Sequence, residues 1–219
     1  MNTYTVRKSS VPVDISAAWD SEMWQNAEIA KIEYHFADRN QHGFVPEVAL
    51  KMLHDGKRIC GLFQVHDQYV IARKTADQQQ VCQDSCVEFF VKPAGSERYF
   101  NFEINCGGTL LLYDIKNLFE KDFEQIPQAE LDTVERFHTL PHIIENEITD
   151  PVTWYLGFAI PVEFFVNRTG VSAELSGQQW TANFTKCADH CSHPAWLSWQ
   201  KLSRCAFHLP DEFGKLIFE

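Results

Sequence analysis

Cys86-Val87-Glu88-Phe89-Phe90-Val91 and Arg98-Tyr99-Phe100-Asn101-Phe102-Glu103-Ile104-Asn105 are the two runs that decide the fold. In an extended chain successive side chains point to opposite faces. The first run therefore sends Val87, Phe89 and Val91 one way and Glu88 the other. The second sends Phe100, Phe102 and Ile104 one way, and Tyr99, Asn101, Glu103 and Asn105 the other. Between them, Pro93-Ala94-Gly95-Ser96-Glu97 is turn chemistry, so the pair is predicted to be a β-hairpin. One of its faces is apolar; the other carries carboxylates and amides.

The same alternation recurs in Thr153-Trp154-Tyr155-Leu156-Gly157-Phe158-Ala159-Ile160, in Gln179-Trp180-Thr181-Ala182-Asn183-Phe184-Thr185, in 30–36 and in 58–67. Helix signals are scarce. Glu47-Val48-Ala49-Leu50-Lys51-Met52-Leu53 reads as one or two helical turns, and Pro161-Val162-Glu163-Phe164-Phe165 as another with proline at its first position. The polar stretch 125–150, with Pro127 and Pro141, reads as a long connection or an irregular pair of strands. No repeat, low-complexity tract or Gly/Ser linker divides the chain. The expectation is a single domain over 1–219: an all-β, antiparallel β-sandwich, jelly-roll or immunoglobulin-like, with few short helices.

Composition narrows the function classes. Hydrophobic residues make up 45% of the 219 and charged residues 22%, which suits a packed core and argues against disorder. The net charge of −11, without a basic stripe, would repel a phosphate backbone, so no nucleic-acid partner is expected. The longest apolar stretch, 155–166, is broken by Gly157, Pro161 and Glu163, whereas a membrane span needs about 20 apolar residues. No membrane span is expected. The first residues lack the basic-then-apolar layout of a secretory leader, so the expected location is cytoplasmic, or secreted if a leader has been trimmed. The seven cysteines are odd in number and sit among apolar neighbours, as in Ile59-Cys60-Gly61-Leu62-Phe63. Most read as reduced core thiols rather than a disulfide framework.

Three groups of residues carry candidate chemistry. The first is the polar face of the hairpin, with Asp84, Glu88, Asn101, Glu103 and Asn105, flanked by Phe90 and Tyr99. Carboxylates and amides on one sheet face suit hydroxyl-rich ligands, since each can donate to or accept from vicinal hydroxyls. The plain alternative is the solvated outer face of an antiparallel sheet. The second is His193-Pro194-Ala195-Trp196-Leu197-Ser198-Trp199, where an exposed indole would give the apolar face of a sugar ring a platform. The plain alternative there is that Trp196 or Trp199 plugs the end of the sandwich. The third is Cys187-Ala188-Asp189-His190-Cys191-Ser192-His193, together with Cys82 and Cys86, which share the C-x3-C spacing. That spacing is not the usual zinc knuckle, and the second cysteine pair of a zinc ribbon is missing. Calcium is carried as an optional ligand, because turns rich in Asp and Asn leave little spacing signature. The nucleophile-elbow, zinc-protease, phosphate-loop and dinucleotide motifs are all absent.

Asp84-Ser85-Cys86-Val87-Glu88-Phe89-Phe90, followed by Tyr99-Phe100-Asn101-Phe102-Glu103-Ile104-Asn105-Cys106-Gly107-Gly108, resembles the family 9 carbohydrate-binding modules. Gly61-Leu62-Phe63-Gln64-Val65-His66-Asp67, Trp180-Thr181-Ala182-Asn183-Phe184, Trp199-Gln200-Lys201-Leu202 and Phe213-Gly214-Lys215-Leu216 fit the same pattern, so that it spans 24–218. The resemblance implies a β-sandwich that binds sugars through two tryptophans, a Glu, an Arg and amides, attached to glycan-degrading enzymes, with calcium sometimes bound. Carried over by motif, the Glu is Glu88, the C-terminal platform Trp199 and the Arg is Arg98, with Asn101 among the amides. Strand parity puts Arg98 on the face opposite Glu88, which conflicts with that carry-over. The other tryptophan is missing: Gln78-Gln79-Gln80-Val81-Cys82-Gln83 holds none, and Trp196 or Tyr69 would have to replace it.

The expectation is therefore a non-catalytic protein that binds oligosaccharides or sugar chain ends through Trp199, Trp196, Glu88, Arg98 and Asn101. Two alternatives stand beside it: a glycan-active hydrolase using a carboxylate pair such as Glu88 and Glu103, and a sandwich holding haem or another redox group.

Overall fold

Residues 1–219 are described by a computed structural model. The hairpin forms as the alternation requires: Cys86–Lys92 and Tyr99–Asn105 pair antiparallel, with Glu88 opposite Glu103 and Val91 opposite Phe100. Gly95 takes φ +72° in the connecting turn, a conformation that glycine adopts without a Cβ penalty.

The hairpin lies within the first of two sheets. From one edge the strands run Asp122–Gln125, Leu110–Asn117, Tyr99–Asn105, Cys86–Lys92, Gln179–Cys187 and Gly214–Phe218. The second sheet contains Glu47–His54, Arg58–Asp67, Val152–Pro161 and Glu135–His138, all antiparallel. Thr3–Lys8 belongs to both. Its first residues pair parallel with Gly214–Phe218, and Arg7 and Lys8 pair parallel with Leu53 and His54. One strand thus stitches the layers of an otherwise antiparallel sandwich.

Between the layers lies one core of 42 buried residues. Phe89 sits at its middle, with ring centroids 6.1 Å from Phe102, 5.7 Å from Phe184 and 5.5 Å from Phe158 of the facing sheet. Apolar alternation drives this packing, since burying each such ring stabilises by roughly 1.5–3 kcal/mol. Val162–Thr169 forms the helix expected after Pro161, ends at Gly170 with φ +72°, and packs Phe164 and Phe165 onto Phe100 and Phe102. No helix is long and apolar enough to cross a membrane.

One local expectation is corrected. Glu47–His54 is a strand, not helical turns. Its Ala, Leu, Met and Lys favour helix, but antiparallel pairing with Arg58–Asp67 sends Val48, Leu50 and Met52 into the core and overrides that preference. Of the two readings of 125–150, the irregular strands hold: Glu135–His138 and Ile144–Ile148 are strands, each paired with a strand outside the stretch, and the helix Gln128–Leu131 precedes them.

A covered polar face as candidate functional site

Register brings the polar side chains of three neighbouring strands into two rows on the outer face of the first sheet. Thr185, Glu88 and Glu103 stand opposite one another, and so do Asn183, Phe90 and Asn101. Phe184, Phe89 and Phe102 take the other parity and point into the core. Asn105 lies one step further along, where its Nδ2 donates to Asp84 Oδ2 at 2.9 Å.

This face is not solvated. The segment 200–213 folds across it and brings Leu202, Phe207 and Phe213 against Phe90, Tyr99, Leu111, Cys86 and Cys187 in a second apolar cluster. His208 completes the roof, with its Nδ1 3.0 Å from the Tyr99 hydroxyl and its ring 5.1 Å from Phe90. Glu88 keeps 3% of its surface exposed, Glu103 7% and Asn101 none.

Burial leaves this polar group short of partners. Asn101 Nδ2 donates to Glu103 Oε1 at 2.8 Å, and Cys187 Sγ donates to Glu88 Oε1 at 3.0 Å. Asn101 Oδ1, Asn183 Nδ2 and Thr185 Oγ1 have none, so three of the seven unpartnered buried polar side-chain atoms share this one face. Native interiors tolerate few such atoms, because each costs roughly 1–3 kcal/mol. Neither carboxylate has a cationic partner, whereas buried Asp67 pairs with Lys186 at 3.2 Å and Asp114 with Arg98 and Arg168. Desolvation pushes the Glu88 carboxyl up to about 7, against the hydrogen bond from Cys187. Burial first, then the charge of Glu88, holds Glu103 well above the usual carboxylate range.

The residues singled out in the sequence divide between three places. Glu88 and Asn101 share the covered face, and Trp196 stands at its rim. The Trp196 ring stacks on Phe207 with centroids 4.6 Å apart, Arg39 lies 4.5 Å from its centre, and its Nε1 donates to Asp189 Oδ1 at 2.5 Å. Trp199 points the other way. It is 5% exposed, lies 4.9 Å from Phe184 in the main core, and closes so tightly on Gly214 that a Cβ there would clash. Arg98 follows the parity of Phe100: it pairs with Asp114 and, at 3.2 Å, with Asp122, in a polar cleft beside Arg168 on the face opposite Glu88. Tyr69 stacks on His193 at 3.5 Å, apart from this group.

Asn183 and Thr185 escaped the reading of the sequence, although the inward parity of Trp180, Ala182 and Phe184 already turned them outward. What it lacked was the neighbour relation, that Gln179–Cys187 pairs with Cys86–Lys92. Cys86, Glu88 and Cys187 form a compact group of potential metal ligands, their ligating atoms all within 4.8 Å of one another. Two thiols do not suit calcium, which takes oxygen ligands.

The family model for carbohydrate-binding family 9 matches residues 18–218. The chain belongs to that family. A candidate carbohydrate-binding protein from Bacteroides uniformis ATCC 8492 is similar over 99% of both chains, with 31% identity and a TM-score of 0.87. Two structures of a family 9 module from Caldicellulosiruptor kristjanssonii share the fold at lower identity. The glucose complex has 13% identity and a TM-score of 0.65, covering 100% of this chain and 96% of the module. The cellotriose complex has 12% identity and a TM-score of 0.62, covering 100% and 94%. None of the curated proteins matches this chain.

Proposed function

We propose that this family 9 protein binds oligosaccharides or sugar chain ends without transforming them, in the service of glycan degradation, on the face that carries Glu88, Asn101 and Glu103. The carrying observation is the concentration of unpartnered buried atoms there: an acceptor on Asn101, a donor on Asn183 and a hydroxyl on Thr185. Vicinal sugar hydroxyls donate and accept at once, so they match this mixed set, and the two carboxylates add acceptors. The family 9 module crystallised with glucose and with cellotriose supports the ligand class. Trp196 at the rim is the aromatic platform of this reading, and its use requires Arg39, which lies 4.5 Å over the ring, to swing aside while Phe207 holds the other face. Trp199 supports the sheet from within, and Arg98 organises the opposite cleft.

Entry to the face requires the segment 200–213 to shift. Its own backbone bonding is four local turn bonds, Ala206 N to Arg204 O, Leu209 N to Phe207 O, Glu212 N to Leu209 O and Phe213 N to Pro210 O, with Ser203 bonded to the Glu212 carboxylate and no strand pairing to the sheet. Calorimetry against glucose, cellotriose and their end-reduced forms tests the proposal. Binding is expected to weaken about tenfold or more in Trp196→Ala and in Asn101→Ala, and to vanish with end-reduced sugars if chain ends are read. Silence across a broad sugar panel, or unchanged affinity in both variants, overturns it.

A further inference from the structure

The geometry points to a metal-binding site for a soft or borderline ion such as zinc, held by Cys86, Glu88 and Cys187 beneath the roof segment. Cys86 and Cys187 stand directly opposite on adjacent strands, and Glu88 follows Cys86 by two residues, so all three side chains leave the same face. Their ligating atoms lie within 4.8 Å of one another, and Cys187 Sγ is 3.0 Å from Glu88 Oε1. A tetrahedral zinc site with bonds of about 2.3 Å to sulfur and about 2.0 Å to oxygen needs ligand atoms roughly 3.3–3.8 Å apart. Small rotamer adjustments reach that spacing, and the paired strands hold the ligands in place beforehand.

The electrostatics of the pocket favour a cation. Glu88 and Glu103 are both buried side by side with no Lys, Arg or His paired to either, whereas buried Asp114 of the same sheet pairs with Arg98 and Arg168. The unpartnered Thr185 Oγ1 faces Glu88 from the next strand. Sulfur donors select against calcium and magnesium and for zinc, cuprous or ferrous ions. Cys82 lies on the turn Val81–Gln83, whose Val81 packs on this cluster, close enough for the charges of Glu103, Cys86 and Glu88 to act on its thiol. The fourth coordination position falls to water or a ligand oxygen. On binding, each Cys Sγ–H gives its proton to the buffer as the metal–sulfur bond forms, and Glu88 gives up the proton its carboxyl holds below about pH 7, so two to three protons leave per ion. This site shares Glu88 with the sugar reading but rests on the two thiols, which that reading does not use.

Cobalt(II) chloride and zinc chloride added to the reduced full chain provide the test. Cobalt is expected to produce a sulfur-to-cobalt charge-transfer band in the near ultraviolet, saturating at one ion per chain and bleached by zinc. Cys86→Ser and Cys187→Ser should each weaken binding about 100-fold or more, and Glu88→Gln should weaken it measurably. Cys205→Ser, outside the cluster, should leave the band intact, and circular dichroism of each metal-free variant separates loss of site from loss of fold. A folded wild-type chain without the band overturns the assignment. So does a band that survives in both cysteine variants, or a Cys86–Cys187 disulfide in protein prepared without reductant. Sugar calorimetry with and without zinc keeps the two readings apart, since either can fail alone.

Discussion

Trp199 shows how far one residue can be read from its neighbours. Its place beside Gln200-Lys201-Leu202 made it a sugar platform by resemblance, but the bond from its backbone N–H to Phe184 O at 2.8 Å turns its ring inward. There it meets Phe184 and seals the gap over Gly214. Trp199→Ala is therefore expected to cost about 3–5 kcal/mol of stability by leaving a large cavity, while the folded fraction keeps its sugar affinity. Denaturant midpoints measure the first, and calorimetry on the folded protein the second. A loss of stability under about 1 kcal/mol would place the ring at the surface after all. By contrast, Glu88, Asn101 and Glu103 were legible as one face because a strand has a period of two, and parity is a local property. Arg98 yielded to the same rule: its parity was visible in the sequence, and the structure follows it.

At the scale of elements, the hairpin and the long strands were legible because their alternation is strong, whereas the roof was not. The segment 200–213 has no period; it covers the polar face through scattered apolar residues, Leu202, Phe207 and Phe213, whose partners lie far away in sequence. No local pattern announces such a cover, so the outer face looked solvated. His208 gives the roof a pH dependence. Desolvation lowers its pKa from the ordinary 6.5 to about 4, and the groups facing it are Tyr99 and the apolar ring of Phe90. The unfolded chain then binds a proton that the folded one refuses between about pH 6.5 and 4. This contribution is fully present above 6.5 and is lost as pH falls toward 4, by on the order of 3 kcal/mol at most. Thermal melts of the wild type and His208→Phe across pH 4–7 isolate the effect, because other titrating groups cancel in the difference. The variant should show a flatter decline on acidification; identical slopes would mean that the imidazole is hydrated in the folded state.

Across the whole molecule, the two layers share one core and one strand. Phe89 and Phe184 from the first sheet and Phe158 from the second belong to the same cluster of 42 buried residues. Thr3–Lys8 hydrogen-bonds to both sheets, so neither layer can detach without breaking the pairing of the other. That strand went unread because its six residues carry only Tyr4 and Val6 as inward apolar positions, too short a run to declare itself. Its consequence is cooperative unfolding. Heat or denaturant should melt the chain in a single transition, with the calorimetric enthalpy equal to the van't Hoff enthalpy and with Trp fluorescence and circular dichroism changing together. Removing residues 1–8 should abolish that transition rather than split it, since the remaining layers would lose their shared edge along with Tyr4 and Val6. Two resolved transitions in the intact chain would mean that the sheets fold as separate units. The polar face, the roof and the thiol cluster all sit on the first sheet alone, so under that outcome they would melt with it while Trp154 of the second sheet stayed buried.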